Sequence, residues 1–171
     1  MKKFYTTFIL LFFIAMAIPV NGQKTLTKIL KNGEIRIGLT GNQPPYNMKS
    51  KSGELMGFEV DLANILANSI GVKLTTVEMP FSELLPALEA GKIDAVMSGM
   101  TVTSERSVKA LFSGPYTVSG KSILAKSSVL SKLKGTEEAN NEAYKITCLK
   151  GSTSEDFVRK YMPKAQSIPV N

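Results

Sequence analysis

Residues 92–106 read KIDAVMSGMTVTSER, and this stretch decides how the rest of the chain is organised. Ile93, Ala95, Val96 and Met97 form a short apolar run of the kind that makes a buried strand. Ser98-Gly99 breaks the run, and a polar segment then opens a helix at Thr103, a residue type that caps helix N-termini well. A strand running into a helix start leaves unpartnered backbone N–H groups at the turn, where the helix dipole also favours negative charge. Arg106 falls in that first turn, with a planar fork of donors that can grip a carboxylate through two parallel hydrogen bonds. Gly99 lets a ligand approach the backbone, and Thr101 adds a hydroxyl. On local features alone a capped surface helix with a solvated arginine is the stronger reading. The remainder of the chain reverses that preference.

Working outward toward the N-terminus, Phe81-Ser82 opens a helix with Leu84, Leu85 and Leu88 on one face, stopped by Gly91. Lys73 to Met79 reads as a strand, preceded by a helix from about Val60 to Ile70 with Leu62, Ile65, Leu66 and Ile70 at helical spacing. Before it come a polar turn at Ser50 to Glu54 and a loop, Gly41 to Tyr46, whose two prolines cannot continue a ladder. Glu34 to Thr40 alternates as a first strand, after a short helix over Thr25 to Asn32 closed by Gly33. Strand, helix, strand, helix, strand at these lengths implies two crossover units and a mostly parallel sheet in an α/β fold. The loops at Gln43, Phe81 and Gly99 then meet at one rim, at the carboxyl ends of the strands, where open α/β sheets bind ligands.

Working toward the C-terminus, Ala110 to Phe112 and Ser119 to Lys126 read as strands separated by a turn at Ser113 to Tyr116, and Ser127 to Asn141 as a solvated loop. Tyr144 to Leu149 is a further strand. Gly151 to Asp156 then delivers a second helix N-terminus, with Thr153 as its cap and two acids in the first turn. Phe157, Val158 and Tyr161 give that helix an apolar face, Pro163 ends it, and Ala165 to Val170 closes as a strand.

Lys2 and Lys3 precede the apolar run Phe8 to Val20 and the small-residue exit Asn21-Gly22, the pattern of a cleaved secretory signal peptide over residues 1–22. No cysteine stands at that exit to carry a lipid, so a free periplasmic protein is expected. The formal charge of +7 falls to about +5 once Lys2 and Lys3 are removed, and scattered lysines give no nucleic-acid patch. With no histidine and one cysteine, Cys148, zinc sites, histidine-based triads and an internal disulfide are excluded, and no cofactor is implied.

The succession RIGLTGNQPPY, GELMGFEVDLANILANSIGVK, FSELLPALEAGKIDAVMSGMTVTSER and FSGPY resembles the extracytoplasmic amino-acid-binding proteins of ABC importers, bacterial solute-binding protein family 3 with the type II periplasmic-binding fold. That family also looks like the ligand core of ionotropic glutamate receptors. The combination of GF-x-x-DL, L-x-x-GK-x-DA and T-x-x-R carries the resemblance densely from about Gly33 to Lys126, and ITCLKGST extends it. It implies two α/β lobes closing on one amino acid, with residues 23–120 as the first lobe and 121–171 as a crossover strand and partial second lobe, in a chain shortened at its C-terminus. By that resemblance Arg106 clamps the α-carboxylate, Thr101 and Thr153 supply N–H donors, Gly99 with Ser98 meets the ammonium, and Phe81 covers the side chain. Gln43 departs from the aromatic often found at its place. Phe81 reads equally as a residue stapling its helix to the core. Tyr46 and Tyr116 read as packing residues, and Asp61 and Asp94 as structural acids. The implied partners are an amino acid and the membrane permease of an importer, the protein itself being a monomer. A secreted cyclohexadienyl dehydratase on the same scaffold is the enzymatic alternative and a ligand-sensing input domain a third. A dehydratase needs a general acid in the cleft, and near Arg106 only the helix-borne Glu105 offers one, so binding without catalysis is the expectation.

Overall fold

The computed structural model describes residues 21–171. The expected signal peptide over residues 1–22 lies, for residues 1–20, outside the described residues. Helix α1, Asn21–Asn32, ends at Gly33, whose positive φ of 66° closes it. Strand β1, Glu34–Leu39, follows, and two-residue β2, Asn42–Gln43, turns back through Pro44-Pro45 into β3, Asn47–Lys49. Strand β4, Leu55–Met56, pairs with β3 to complete a small antiparallel sheet where only a loop was expected. Its strands are two or three residues long, too short to leave an alternating pattern in the sequence.

Helix α2, Phe58–Ser69, strand β5, Lys73–Glu78, helix α3, Phe81–Glu89, and strand β6, Ala95–Val96, complete the first unit. Both strand pairings are parallel and the order is β5-β1-β6, so the chain passes from one side of β1 to the other between β5 and β6. Ile29, Ile35, Ile37, Ala63 and Ala67 pack together on one face of the sheet. Phe81, Leu84, Ala87 and Ile93 pack on the other. Gly38 in β1 explains the second contact, since a Cβ there would stand 2.4 Å from Ile93 Cδ1 and 3.0 Å from Leu84 Cδ2.

The buried line of α2 differs from the expected one. Val60, Ala63 and Ala67 are inside with Leu66 and Ile70 alongside, whereas Ile65 is 62% exposed. Two alanines on the buried line let the helix approach β1 closely, so small residues rather than the largest ones mark the core face.

Helix α4 is a single turn, Ser104–Ser107, capped by Thr103 as expected: its hydroxyl accepts the Arg106 N–H at 3.2 Å. The expected strands at Ala110 to Phe112 and Ser119 to Lys126 do not form. No ladder partner lies beside them among the described residues, and Leu111, Val118 and Leu124 project outward. The expected loop 127–141 contains a short helix α5, Ser127–Leu130, and a 3₁₀ turn, Thr136–Ala139.

Strand β7, Lys145–Leu149, helix α6, Thr153–Tyr161, and strand β8, Gln166–Val170, form the second unit, with β7 and β8 parallel. Ser152, not Thr153, caps α6: its Oγ accepts the N–H groups of Ser154 and Glu155 at 3.2 and 3.3 Å. Val158 is buried with Ala139, Met162 and Ala165, while Phe157 and Tyr161, expected on the same face, meet in a tilted contact with ring centroids 5.0 Å apart and stay partly in solvent. Cys148 is buried, and Leu149 packs against the Phe81–Leu84 cluster, joining the two units.

Candidate functional site

The site is assembled at the carboxyl ends of β1 and β6, where the chain switches direction across the sheet. Ser98 follows β6 directly and is fully buried; its hydroxyl accepts the Thr40 N–H at 3.2 Å, locking the ends of the two strands together. Gly99 takes a left-handed φ of 58°, and Gln43 Oε1 lies 3.0 Å from the position a Cβ would occupy there. Gln43 and the Ser98-Gly99 turn are therefore neighbours, as the converging loops require.

Arg106 is the element that connects this rim to the second unit. Its Nη1 donates to the Thr101 carbonyl at 2.9 Å and its Nη2 to the Gly151 carbonyl at 2.9 Å. The guanidinium carbon also stands 5.6 Å from the centroid of the Phe81 ring, within cation–π range. Burial pulls the Arg106 guanidinium below its ordinary value, with Asp156 and Glu105 acting in the other direction; an arginine so placed remains a cation at physiological pH. Phe81 is a buried member of the α3 core, as the stapling reading expects, and its ring also lies beneath Arg106.

Thr101 and Thr153 face each other across the junction, their hydroxyls 3.5 Å apart. Lys121 Nζ donates to Thr153 Oγ1 at 2.9 Å, bringing a second cation to the same place. The N-terminal turn of α6 is aimed there as well. Ser152 caps the N–H groups of Ser154 and Glu155, and Glu155 Oε2 accepts the Gly151 N–H at 2.7 Å; no bond is made by the Thr153 N–H among the described residues. Two helix starts, two cations and two threonine hydroxyls thus converge, an arrangement suited to a carboxylate.

The structure adds residues that the sequence did not assign to the site, among them Tyr116, which read as a packing residue. Glu59 is fully buried, with Gly99, Asn47 and Tyr116 donating to its two oxygens. Burial above all, and then the Glu59 carboxylate, push the Tyr116 hydroxyl well above the ordinary tyrosine value. Glu59 follows Phe58 in the GF-x-x-DL stretch, two residues before Asp61, which is exposed. Lys121 lies in the segment read as a strand, and nothing in its surroundings there marks it. Asp94 takes the structural role expected of it, paired with Arg36.

A parallel sheet covered by helices on both faces and a second α/β unit, bridged by Arg106, define a two-lobed α/β fold of the periplasmic-binding type. Residues 35–166 match the bacterial extracellular solute-binding proteins, family 3, and the chain belongs to that family. It is 31% identical over 146 residues to a cyclohexadienyl dehydratase of Pseudomonas aeruginosa, covering 85% of this chain and 54% of that protein. It is 35% identical over 141 residues to the histidine-binding periplasmic protein of Salmonella typhimurium, covering 79% and 51%. The chain therefore spans about half the length of the curated relatives it matches. Among solved structures it is similar to an ancestral amino-acid-binding protein described as a precursor of cyclohexadienyl dehydratase, with a TM-score of 0.82, 40% identity, and coverage of 85% of this chain and 64% of that one.

Proposed function

We propose that the chain binds a free amino acid at the junction of its two units, outside the cytoplasm, for delivery to the permease of an ABC importer. In this reading residues 23–120 are the first lobe and 121–171 the crossover and second lobe. Arg106 clamps the α-carboxylate with the Thr101 and Thr153 N–H groups. Gly99 and Ser98 meet the ammonium, Gln43 borders the ligand's side chain, and Phe81 forms the floor beneath the clamp. The observation that supports it most is the placement of Arg106, hydrogen-bonded to Thr101 on one unit and Gly151 on the other while lying over Phe81. Exchanging neutral carbonyl partners for a carboxylate strengthens the guanidinium contacts, because charge-assisted bonds are about twice as strong as neutral ones.

A second reading, an enzyme of the cyclohexadienyl dehydratase kind, is favoured by the dehydratase relative. The acids weigh against it: Glu59 has both oxygens occupied by donors, and the charges felt by Arg106, Asp156 and Glu105, belong to helices α6 and α4. The test is a thermal-shift panel of the chain with the common amino acids and prephenate, followed by assay for prephenate turnover. A ligand at a hundred times its dissociation constant adds about 2.7 kcal/mol of stability, an easily read shift. Stabilisation by an amino acid without turnover is expected; turnover of prephenate would establish the enzyme instead.

A further inference from the structure

We propose that Glu59 is a positioning residue of the ligand site, which sets the Gly99 backbone and the crossing segment at Tyr116 through one buried carboxylate. The inference rests on the amino-acid-binding reading. Glu59 stands in the first turn of α2, where a negative charge is favoured by the helix dipole, and none of its surface reaches solvent. A charge so placed is tolerated only where donors satisfy it. Oε1 accepts the Gly99 N–H at 2.6 Å and the Tyr116 hydroxyl, and Oε2 accepts Asn47 Nδ2 at 2.5 Å.

Each of these partners belongs to a different piece of the site. Gly99 is the turn expected to meet the ligand's ammonium. A trans peptide holds its N–H and the preceding C=O antiparallel, so fixing the Gly99 N–H on Glu59 aims the Ser98 carbonyl in the opposite direction. Asn47 is itself fixed, its Oδ1 accepting the Gly41 N–H at 2.7 Å and the Thr40 hydroxyl at 3.0 Å. Tyr116 lies in the segment between the two units, with its ring 5.8 Å from that of Phe58 and the neighbouring Thr117 hydroxyl 3.4 Å from that of Tyr46. The turn that contacts ligand and the segment that leads to the second unit are thus tied to the same oxygen.

No neutral isostere can keep the arrangement. A glutamine at this place has one acceptor oxygen for donors on two sides, and its amide hydrogens would face either Gly99 or Asn47. Turning Asn47 over to accept from the glutamine would set its own amide against the Gly41 N–H. One buried donor is always left unmatched.

The experiment is nitrogen–proton NMR of the full chain for wild type, Glu59→Gln and Tyr116→Phe, with amide exchange and calorimetry against the amino acid chosen by the thermal-shift panel. Tyr116→Phe removes only a hydroxyl and should leave more of Oε1 to Gly99, moving the Gly99 amide proton downfield. Glu59→Gln should move it upfield, speed its exchange about tenfold and weaken amino-acid binding by about tenfold, the effect of one lost buried hydrogen bond. A Gly99 amide that ignores both substitutions overturns the proposal, and so does wild-type affinity in Glu59→Gln. If Glu59→Gln does not fold, the response of Gly99 to Tyr116→Phe decides alone. A wild-type chain that binds no amino acid while Gly99 responds as stated overturns the ligand reading and not the positioning of Gly99 by Glu59.

Discussion

Replacing Asp94 by asparagine removes one charge from the ion pair that joins β1 to the start of β6. The Asp94 carboxylate accepts the Arg36 backbone N–H at 3.0 Å, Nε at 2.9 Å and Nη2 at 2.7 Å, and its side chain is 5% exposed. Lys28 Nζ is a further 3.8 Å away. Removing one partner of a fully buried pair costs about 3–5 kcal/mol, because the other charge is left without compensation. Arg36 keeps 27% of its side chain in solvent and also donates to the Gly91 carbonyl at 2.8 Å, so its stranded charge is partly relieved. Asp94→Asn should therefore cost about 2 kcal/mol, a fall of about 1 M in the urea midpoint. The effect carries a pH signature. Hydrogen bonding to Arg36 holds the Asp94 carboxyl below its ordinary value, so the stability it contributes is present above the unfolded pKa of about 3.9 and is lost as pH falls through the folded value. Urea unfolding from pH 7 down to pH 2 should show a wild-type advantage that is constant at neutral pH and shrinks in acid. A loss under about 0.5 kcal/mol at pH 7, or an advantage that persists undiminished at the acid end, would refute the reasoning.

Two further substitutions test the packing that positions the site. Gly57→Ala places a Cβ 2.5 Å from the Tyr46 carbonyl oxygen and 2.9 Å from that of Pro45, at a φ of 125°; it should cost about 3 kcal/mol or more by thermal melting and displace the first turn of α2 with Glu59. Leu84→Ala empties a fully buried place between α3 and Gly38 and should cost about 3 kcal/mol in urea unfolding, with the alanine cavity rather than any lost hydrogen bond as its cause.

Much of the first unit could be read from the sequence because its elements are long enough to display their period. Strand β1, helices α2 and α3 and strand β5 were each expected within one or two residues, and the parallel crossover followed from their alternation. Strand β6 is two residues long, yet its place was legible from the Gly91 stop before it and the Ser98-Gly99 break after it. What escaped were features decided by tertiary contact. The β2–β4 sheet has strands too short to show alternation. The apolar residues of 110–112 and 119–126 read as strands because apolar runs are ambiguous until a partner is known, and none lies beside them among the described residues. The site divides along the same line. Arg106, Thr101, Gly99 and Thr153 announced themselves as turn and helix-start chemistry, whereas Glu59, Asn47 and Tyr116 come together from three separate stretches of chain, and no local spacing announces a buried carboxylate. The α6 cap is the smallest case: Ser152 and Thr153 are equally good capping residues side by side, and only the register of the first turn separates them.

The clamp at Arg106 is the claim on which the functional reading stands, and calorimetry of wild type, Arg106→Ala and Arg106→Lys with the preferred amino acid tests it most directly. Removing a charge-assisted contact in a partly desolvated junction should weaken binding by about 2–5 kcal/mol in Arg106→Ala. Arg106→Lys should recover only part of this, since a point charge cannot make the two parallel hydrogen bonds by which a guanidinium grips a carboxylate. Near wild-type affinity in Arg106→Ala would contradict the assignment.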